Sequence, residues 1–189
     1  MPQGTEAIVT AKPKSYTGGL YVAPTGTTLP TDASTALDPA FVPTGYLGPD
    51  GFTRSSEASD EDEYAWGGVV VNTVRSEFSV TYEFEFRESA NPEVLRVVFG
   101  EENVIEDTAA GTLTVLNNSN MAPRQSFVFE MVDRGLGHRE VVGNGQILAS
   151  GEQTFSHAAS TTIPVTIRAY PDADGNNAYN YKEIGATTP

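Results

Sequence analysis

The feature that most constrains the fold is the run Ser76–Arg87, in which apolar and polar residues alternate. The apolar members fall on even numbers: Phe78, Val80, Tyr82, Phe84 and Phe86. The odd positions are polar and include Glu77, Glu83 and Glu85. Because successive side chains of a strand point to opposite faces, the run predicts one strand with an aromatic face and an acidic face. It is about twice the usual strand length, which is typical of barrels and assembly surfaces.

The net charge is unevenly distributed along the chain. Residues 51–107 hold 14 of the 25 acidic residues and 4 of the 11 basic ones, so −10 of the total charge of −14 lies there. A protein that holds nucleic acid specifically needs cations to replace the counterions of phosphate. The charge therefore argues against nucleic-acid binding, although it is compatible with DNA passing close by.

The rest of the sequence predicts a single domain over residues 1–189 with extended arms. Residues 1–17 are interpreted as an N-terminal arm, 25–45 as an extended loop, 52–64 as an acidic loop, and 171–189 as a C-terminal turn and arm. No apolar stretch approaches the ~20 residues that span a bilayer, and the N-terminus has no signal-peptide pattern, so we expect no membrane binding. Cysteine is absent, which excludes disulfides and thiolate sites.

One short helix is predicted after the alternating run. Asn91 suits the N-cap, Pro92 the first helical position, and Gly100 the stop. Strands are predicted near 18–24, 66–75, 76–87, 112–116, 125–133 and 161–170, where Pro164 indicates an edge or a bulge. The chemistry of Gly143-Asn-Gly145 predicts a hairpin turn between strands 138–142 and 146–150. The fold class is therefore mainly β: a two-sheet antiparallel sandwich or barrel-like domain with one short helix.

Motifs for catalysis are lacking. The chain has two histidines, His138 and His157, and none of the common nucleophile, phosphate-loop or zinc-protease patterns. His138 lies in a charged segment, 133–140, that is interpreted as a solvated hairpin connection. The many carboxylates share one solvated environment, whereas acid–base catalysis needs two different ones. We therefore predict that the protein is not an enzyme and uses no cofactor.

Metal binding is considered at one place, the sequence Asp172-x-Asp174-x-Asn176. Its spacing imitates the start of a calcium loop, but the glycine stands at the fourth position rather than the sixth, and Pro171 replaces an entering helix. A turn that ends a strand explains the same residues, so no metal site is predicted, and whether Asp172 and Asp174 bind a cation is left open.

The acidic segment that ends in Tyr64 and Trp66 has two interpretations. Its four consecutive acids, Asp60, Glu61, Asp62 and Glu63, are either solvated, repelling charge or part of a docking segment. Aromatic residues beside a polar segment are common anchors at protein interfaces, which favours docking.

Several weak motifs occur in a characteristic order over residues 45–100. They are Gly45-Tyr-Leu-Gly-Pro-Asp-Gly51, the acidic segment, Ala65-Trp-Gly-Gly68, the alternating run that ends Phe84-Glu-Phe-Arg-Glu88, and the helix that ends Val98-Phe-Gly100. In this order they resemble the major tail (tail tube) proteins of long, non-contractile-tailed bacteriophages. The resemblance covers about 55 residues firmly and the β-rich remainder loosely.

The resemblance implies a structural virion protein with a two-sheet sandwich and a flanking helix. Six copies would form a ring, and rings would stack into a hollow tube around a tape-measure protein, closed by tail terminator and tail-tip proteins, through which DNA is delivered. The protein would reside in the virion tail, and in the host cytoplasm before assembly. We expect Glu77, Glu83 and Glu85 to face the lumen, and Asp60, Glu61, Asp62, Glu63, Tyr64 and Trp66 to contact the adjacent ring.

Two alternatives to a phage tail tube remain open at this stage. One is a β-sandwich binding module, such as a carbohydrate-binding domain or a virion decoration protein, which an exposed aromatic platform would mark. The other is the related tube protein of a secretion machine, which has the same ring architecture. Tubes or rings of the purified protein would separate the first alternative from a tube protein.

Overall fold

The computed structural model describes residues 8–184, and for residues 149 and 150 it describes the backbone alone. The strands are β1 (Lys12–Pro13), β2 (Leu20–Pro24), β3 (Val42–Pro43), β4 (Leu47–Tyr64), β5 (Val70–Phe86), β6 (Val104–Asp107), β7 (Thr112–Val115), β8 (Arg124–Asp133), β9 (Leu136–Ser150), β10 (Ile163–Ala169) and β11 (Tyr179–Lys182). Helix α1 spans Pro92–Phe99, and a short 3-10 turn spans Glu101–Asn103. The prediction of a mainly β fold with one short helix is confirmed.

Nine strands form one antiparallel sheet in the order β3-β2-β8-β9-β10-β5-β4, with β1 paired to β8 and β11 to β9; β6 and β7 form a separate two-stranded sheet. The large sheet folds over itself, so that β4 and β5 lie across β8. Phe52 of β4 stacks on Phe129 of β8 with ring centroids 4.2 Å apart, and Tyr82 of β5 stacks on the same ring at 5.4 Å. The sheet is not closed, and the result is a sandwich-like fold.

Alternation in β5 builds one side of the core. Val80, Tyr82, Phe84 and Phe86 are buried. They pack against a cluster that includes Val94, Leu95 and Val98 of α1. The predicted capping of α1 is confirmed: the Asn91 side chain accepts a hydrogen bond from the Glu93 amide, and Gly100 ends the helix with φ of 92°. Phe78 departs from the prediction, because it lies on the aromatic face but is 52% exposed, beyond the edge of the core.

The predicted acidic loop at 52–64 is wrong, because these residues form most of strand β4. The strands predicted near 66–75 and 76–87 are likewise not two strands but one continuous β5, which begins only at Val70. Residues 52–64 lack the apolar alternation of a half-buried strand because neither face of their outer part covers this subunit's core. Their strand is held by the ladder to β5 instead. Pro49–Gly51, which resemble a turn, lie at an irregularity of β4 between Leu47 and Phe52.

The predicted hairpin at Gly143-Asn-Gly145 is also wrong, since β9 runs straight through it. A Cβ atom on Gly145 would lie 2.7 Å from the Phe127 ring, so this position requires glycine for close packing and not for a turn. The turn lies earlier, at Arg134 and Gly135, which both have positive φ. His138 is consequently buried in β9 rather than solvated in a turn.

Two further expectations need correction. The edge position predicted from Pro164 is wrong, because β10 is central, paired to both β5 and β9. Pro164 lies next to the start of β10, before the ladder to β9 begins, and the irregularity of that ladder lies between Thr166 and Ile167. The C-terminal arm at 171–189 contains strand β11, and residues 185–189 lie outside the described residues, as do residues 1–7 of the N-terminal arm.

The extended loop at 25–45 is fixed by its own subunit. The buried Arg139 guanidinium donates hydrogen bonds to the carbonyl oxygens of Asp32 (2.7 Å) and Thr35 (3.0 Å), and it also pairs with the Glu130 carboxylate. Ala33 and Phe41 are buried as well. These contacts within the subunit therefore order the loop without a neighbouring copy.

Candidate assembly surface

Strands β4 and β5 form a hairpin that projects beyond the body of the fold. Strand β10 pairs with residues 80–86 of β5, whereas within the described chain residues 70–79 are paired to β4 alone. At about 3.3 Å per residue, the projecting part is roughly 30 Å long. An isolated two-stranded hairpin is at best marginally stable in water, so a projection of this length is a surface in need of a partner.

The two faces of the hairpin carry different chemistry. Residues of β4 alternate regularly from Phe52 to Tyr64, because both extra residues of the irregular ladder, Ser76 and Val71, lie in β5. Even-numbered residues of β4 continue the core side, and odd-numbered residues face away from it. Cross-strand partners share a face, so the register assigns each side chain of β5 as well.

The face that points away from the core collects glutamates. It carries six, which we call the acidic face: Glu57, Glu61, Glu63, Glu77, Glu83 and Glu85. Glu77 lies opposite Ser59, and Glu83 opposite Thr53. Cations occur only at its border with the body of the fold among the described residues: Arg87 lies 3.8 Å from the Glu85 carboxylate, and exposed Arg168 of β10 lies opposite Thr81.

The acids on the core-side face of the projection have hydrogen-bond partners within the hairpin. Arg75 donates to the Asp60 carboxylate at 2.9 Å, and this guanidinium lowers the pKa of Asp60. The Thr73 hydroxyl donates to Asp62 at 2.7 Å. Two of the four consecutive acids thus have partners on the core-side face, whereas Glu61 and Glu63 belong to the acidic face. The bulge at Ser76 produces this separation, since it places Arg75 on the face opposite Glu77.

The tip of the hairpin is apolar. Its turn is closed by a hydrogen bond from the Ala65 amide to the Val69 carbonyl oxygen (2.8 Å), and Gly67 and Gly68 both adopt positive φ. The Trp66 side chain is completely exposed, and Tyr64, Val69 and Val71 are each more than 60% exposed. Large apolar side chains clustered at the end of a projecting element mark an interaction site.

The base of the hairpin is anchored by a buried carboxylate that the sequence did not reveal. Glu140 of β9 accepts hydrogen bonds from the Arg54 guanidinium (3.0 and 3.2 Å) and the Tyr82 hydroxyl (3.0 Å), and a further one from the Asn180 side chain. Burial and the adjacent Glu140 raise the pKa of Tyr82, and Glu140 raises that of Arg54. Only the position of Arg54 on an even, core-side site of β4 hints at this role.

The Asp172 segment forms a hydrogen-bonded turn. The Asp172 carboxylate accepts hydrogen bonds from the Tyr179 hydroxyl (2.6 Å) and from the amides of Asp174 and Asn176 (both 3.0 Å). Its oxygens therefore shape a turn. Within residues 8–184, no group of three or more histidine or acidic side chains is placed to hold a metal, and no helix is long and apolar enough to cross a membrane.

A sandwich-like fold with a long, unpartnered hairpin defines a class of protein that works by associating with others. The family model described as "Phage tail tube protein" matches residues 1–184, and the chain therefore belongs to the phage tail tube protein family. Membership indicates a structural role, self-association in the tail and a place in the virion. Comparison with curated proteins gives no match.

Proposed function

We propose that the protein assembles into hexameric rings that stack into the hollow tail tube through which phage DNA is delivered. The observation that carries this proposal is the β4–β5 hairpin, in which the outer ten residues of β5 have β4 as their only partner among residues 8–184. A neighbouring copy would complete the environment that the hairpin lacks in one subunit. Ring and stack contacts would then supply the free energy that orders the projection.

In this proposal the acidic face lines the lumen. Glu77, Glu83 and Glu85 are joined there by Glu57, Glu61 and Glu63, since all six share one face of the hairpin. DNA must slide during delivery, and favourable contacts to phosphate would act as traps. A wall of carboxylates removes such contacts, and its repulsion is limited to the screening length of about 8–10 Å.

The end of the hairpin contacts the adjacent ring. Asp60, Glu61, Asp62 and Glu63 precede the exposed Tyr64 and Trp66 at the point farthest from the body of the fold. The tube would be built around a tape-measure protein in the host cytoplasm and closed by terminator and tail-tip proteins. DNA would pass without specific binding.

Negative-stain electron microscopy of the purified protein tests the proposal. Stacked rings or tubes with a central channel are expected at high protein concentration. Persistent monomers at the same concentration would contradict the proposal.

A shortened hairpin shows whether the projection drives assembly. Residues 59–77 are replaced by Asn-Gly, the preferred two-residue hairpin turn, which preserves the ladder from Ala58 and Phe78 inward. We expect cooperative unfolding like that of the parent protein but no tubes. The smaller β6–β7 hairpin offers a matched control, since shortening its turn at 108–111 leaves the projection intact. Tubes of normal length from the 59–77 variant would refute the role of the projection.

A further inference from the structure

A groove opens at the base of the hairpin, between the N-terminal segment and the start of β4. It has a volume of about 510 Å³, and apolar side chains dominate its walls. Pro13 and Tyr16 line one wall, and Tyr46, Leu47 and Pro49 line the other. Both tyrosines are exposed in the isolated subunit. A groove of this size and composition is large enough to accept an aromatic side chain.

The groove and the apolar tip lie at opposite ends of the same strand. Strand β4 begins beside the groove at Leu47 and ends at the tip with Tyr64. At about 3.3 Å per residue the two are roughly 50 Å apart, so the tip of one subunit cannot reach its own groove. A contact between two different patches is heterologous, and repeated head to tail it generates an open filament. A stack of rings has this form.

The walls of the groove also indicate what it can accept. Asp50 and Glu130 line it beside its apolar side chains, and Lys14 pairs with Glu130 at 3.3 Å. Lys12 is exposed next to the groove residue Pro13. An uncharged aromatic ring with one hydrogen-bond donor, such as an indole, suits a groove of apolar walls and carboxylate acceptors.

We propose that Trp66 at the hairpin tip of one copy inserts into the groove formed by Tyr16, Tyr46 and Pro49 of a second copy in the next ring. This inference rests on the proposed function and names the site on the next ring that receives the hairpin tip. Trp66 is the only tryptophan of the chain and has no protein neighbour that covers it in the described structure. Aromatic anchors in desolvated pockets carry most of the binding energy of an interface.

Disulfide cross-linking tests this docking directly, because the chain has no cysteine of its own. One copy carries Val69→Cys at the tip, and a second copy carries Asp50→Cys at the groove. The two copies are mixed, allowed to assemble and then oxidised. We expect a linked heterodimer within tubes. Val69→Cys mixed with Phe155→Cys, an exposed position that does not line the groove, should give none.

The outcomes separate this inference from the proposed function. Tubes without the Val69–Asp50 link overturn the docking and leave the tube function standing; this is also the result if another segment, such as residues 1–7, fills the groove. A heterodimer without tubes supports the docking and contradicts the tube function. Absence of both overturns both.

Substitution provides a second measurement. Trp66→Ala and Tyr46→Ser should each raise the protein concentration needed for tubes by about thirtyfold, which corresponds to about 2 kcal/mol of anchor energy. Phe155→Ser, a matched loss of an exposed aromatic ring, should leave that concentration unchanged. Equal effects of all three substitutions would overturn the docking.

Discussion

Replacing Arg54 by methionine should destabilise the subunit although Arg54 is half exposed. The substitution keeps the aliphatic stem and removes the guanidinium that donates twice to Glu140. The Glu140 side chain is only 7% exposed, so water cannot fully replace the lost donors. Removing one partner of a buried ion pair destabilises by about 3–5 kcal/mol.

The expected effect of Arg54→Met is smaller than that range. The Arg54 side chain is 45% exposed, and Glu140 keeps the hydrogen bonds from Tyr82 and Asn180. We therefore expect a loss of about 2 kcal/mol in the free energy of unfolding. For a domain of this size this corresponds to a fall in Tm of about 4–8 °C.

Urea unfolding and thermal unfolding of the hairpin-shortened subunit, which is expected to remain monomeric, measure this without interference from assembly. Arg87→Met in the same shortened subunit is the matched control, because Arg87 pairs with Glu85 in solvent, where ion pairs contribute little. A loss for Arg54→Met no larger than that for Arg87→Met would refute the claim that Glu140 anchors the base of the hairpin.

Three further predictions concern packing and pH. Gly145→Ala should lower the free energy of unfolding by about 1–3 kcal/mol in urea titrations, because its methyl group would meet the Phe127 ring; an unchanged midpoint would contradict the close packing. Hydrogen bonds from the side chain and amide of Thr35 lower the pKa of Asp32 to about 2. The stability that the Asp32 carboxylate contributes is therefore complete above pH ~4 and is lost as the pH falls through about 2. An NMR titration midpoint near 3.9 for Asp32 would refute this. Tyr179→Phe should raise the pKa of Asp172 in the same experiment, since the tyrosine hydroxyl is the largest cause of its lowering.

The parts of the fold that follow local rules could be predicted from the sequence. Helix α1 begins and ends where Asn91, Pro92 and Gly100 place it, because capping depends on residues within one turn. The aromatic face of β5 follows from alternation, except that alternation cannot say where the core ends. Phe78 is therefore on the predicted face but outside the core.

Features that depend on partners distant in sequence could not be predicted. Residues 52–64 show a polar composition that is typical of a loop, and their strand exists because β5 pairs with them. Gly145 is a residue typical of turns, but its lack of a side chain leaves room for the ring of Phe127. Local composition is the same in both situations, and the tertiary contact decides between them.

The acidic face was only partly visible in the sequence for a similar reason. Alternation identified Glu77, Glu83 and Glu85 within one strand. Adding Glu57, Glu61 and Glu63 requires the register of β4 against β5, which leaves no local signal.

A side-chain-resolution electron cryomicroscopy map of the assembled tube would show which face of the hairpin lines the channel. We expect a continuous channel whose wall is formed by the β4–β5 hairpins, with Glu77, Glu83 and Glu85 directed into it. A map in which these three glutamates lie on the outer surface of the tube would contradict the account of the hairpin as a lumen-lining element.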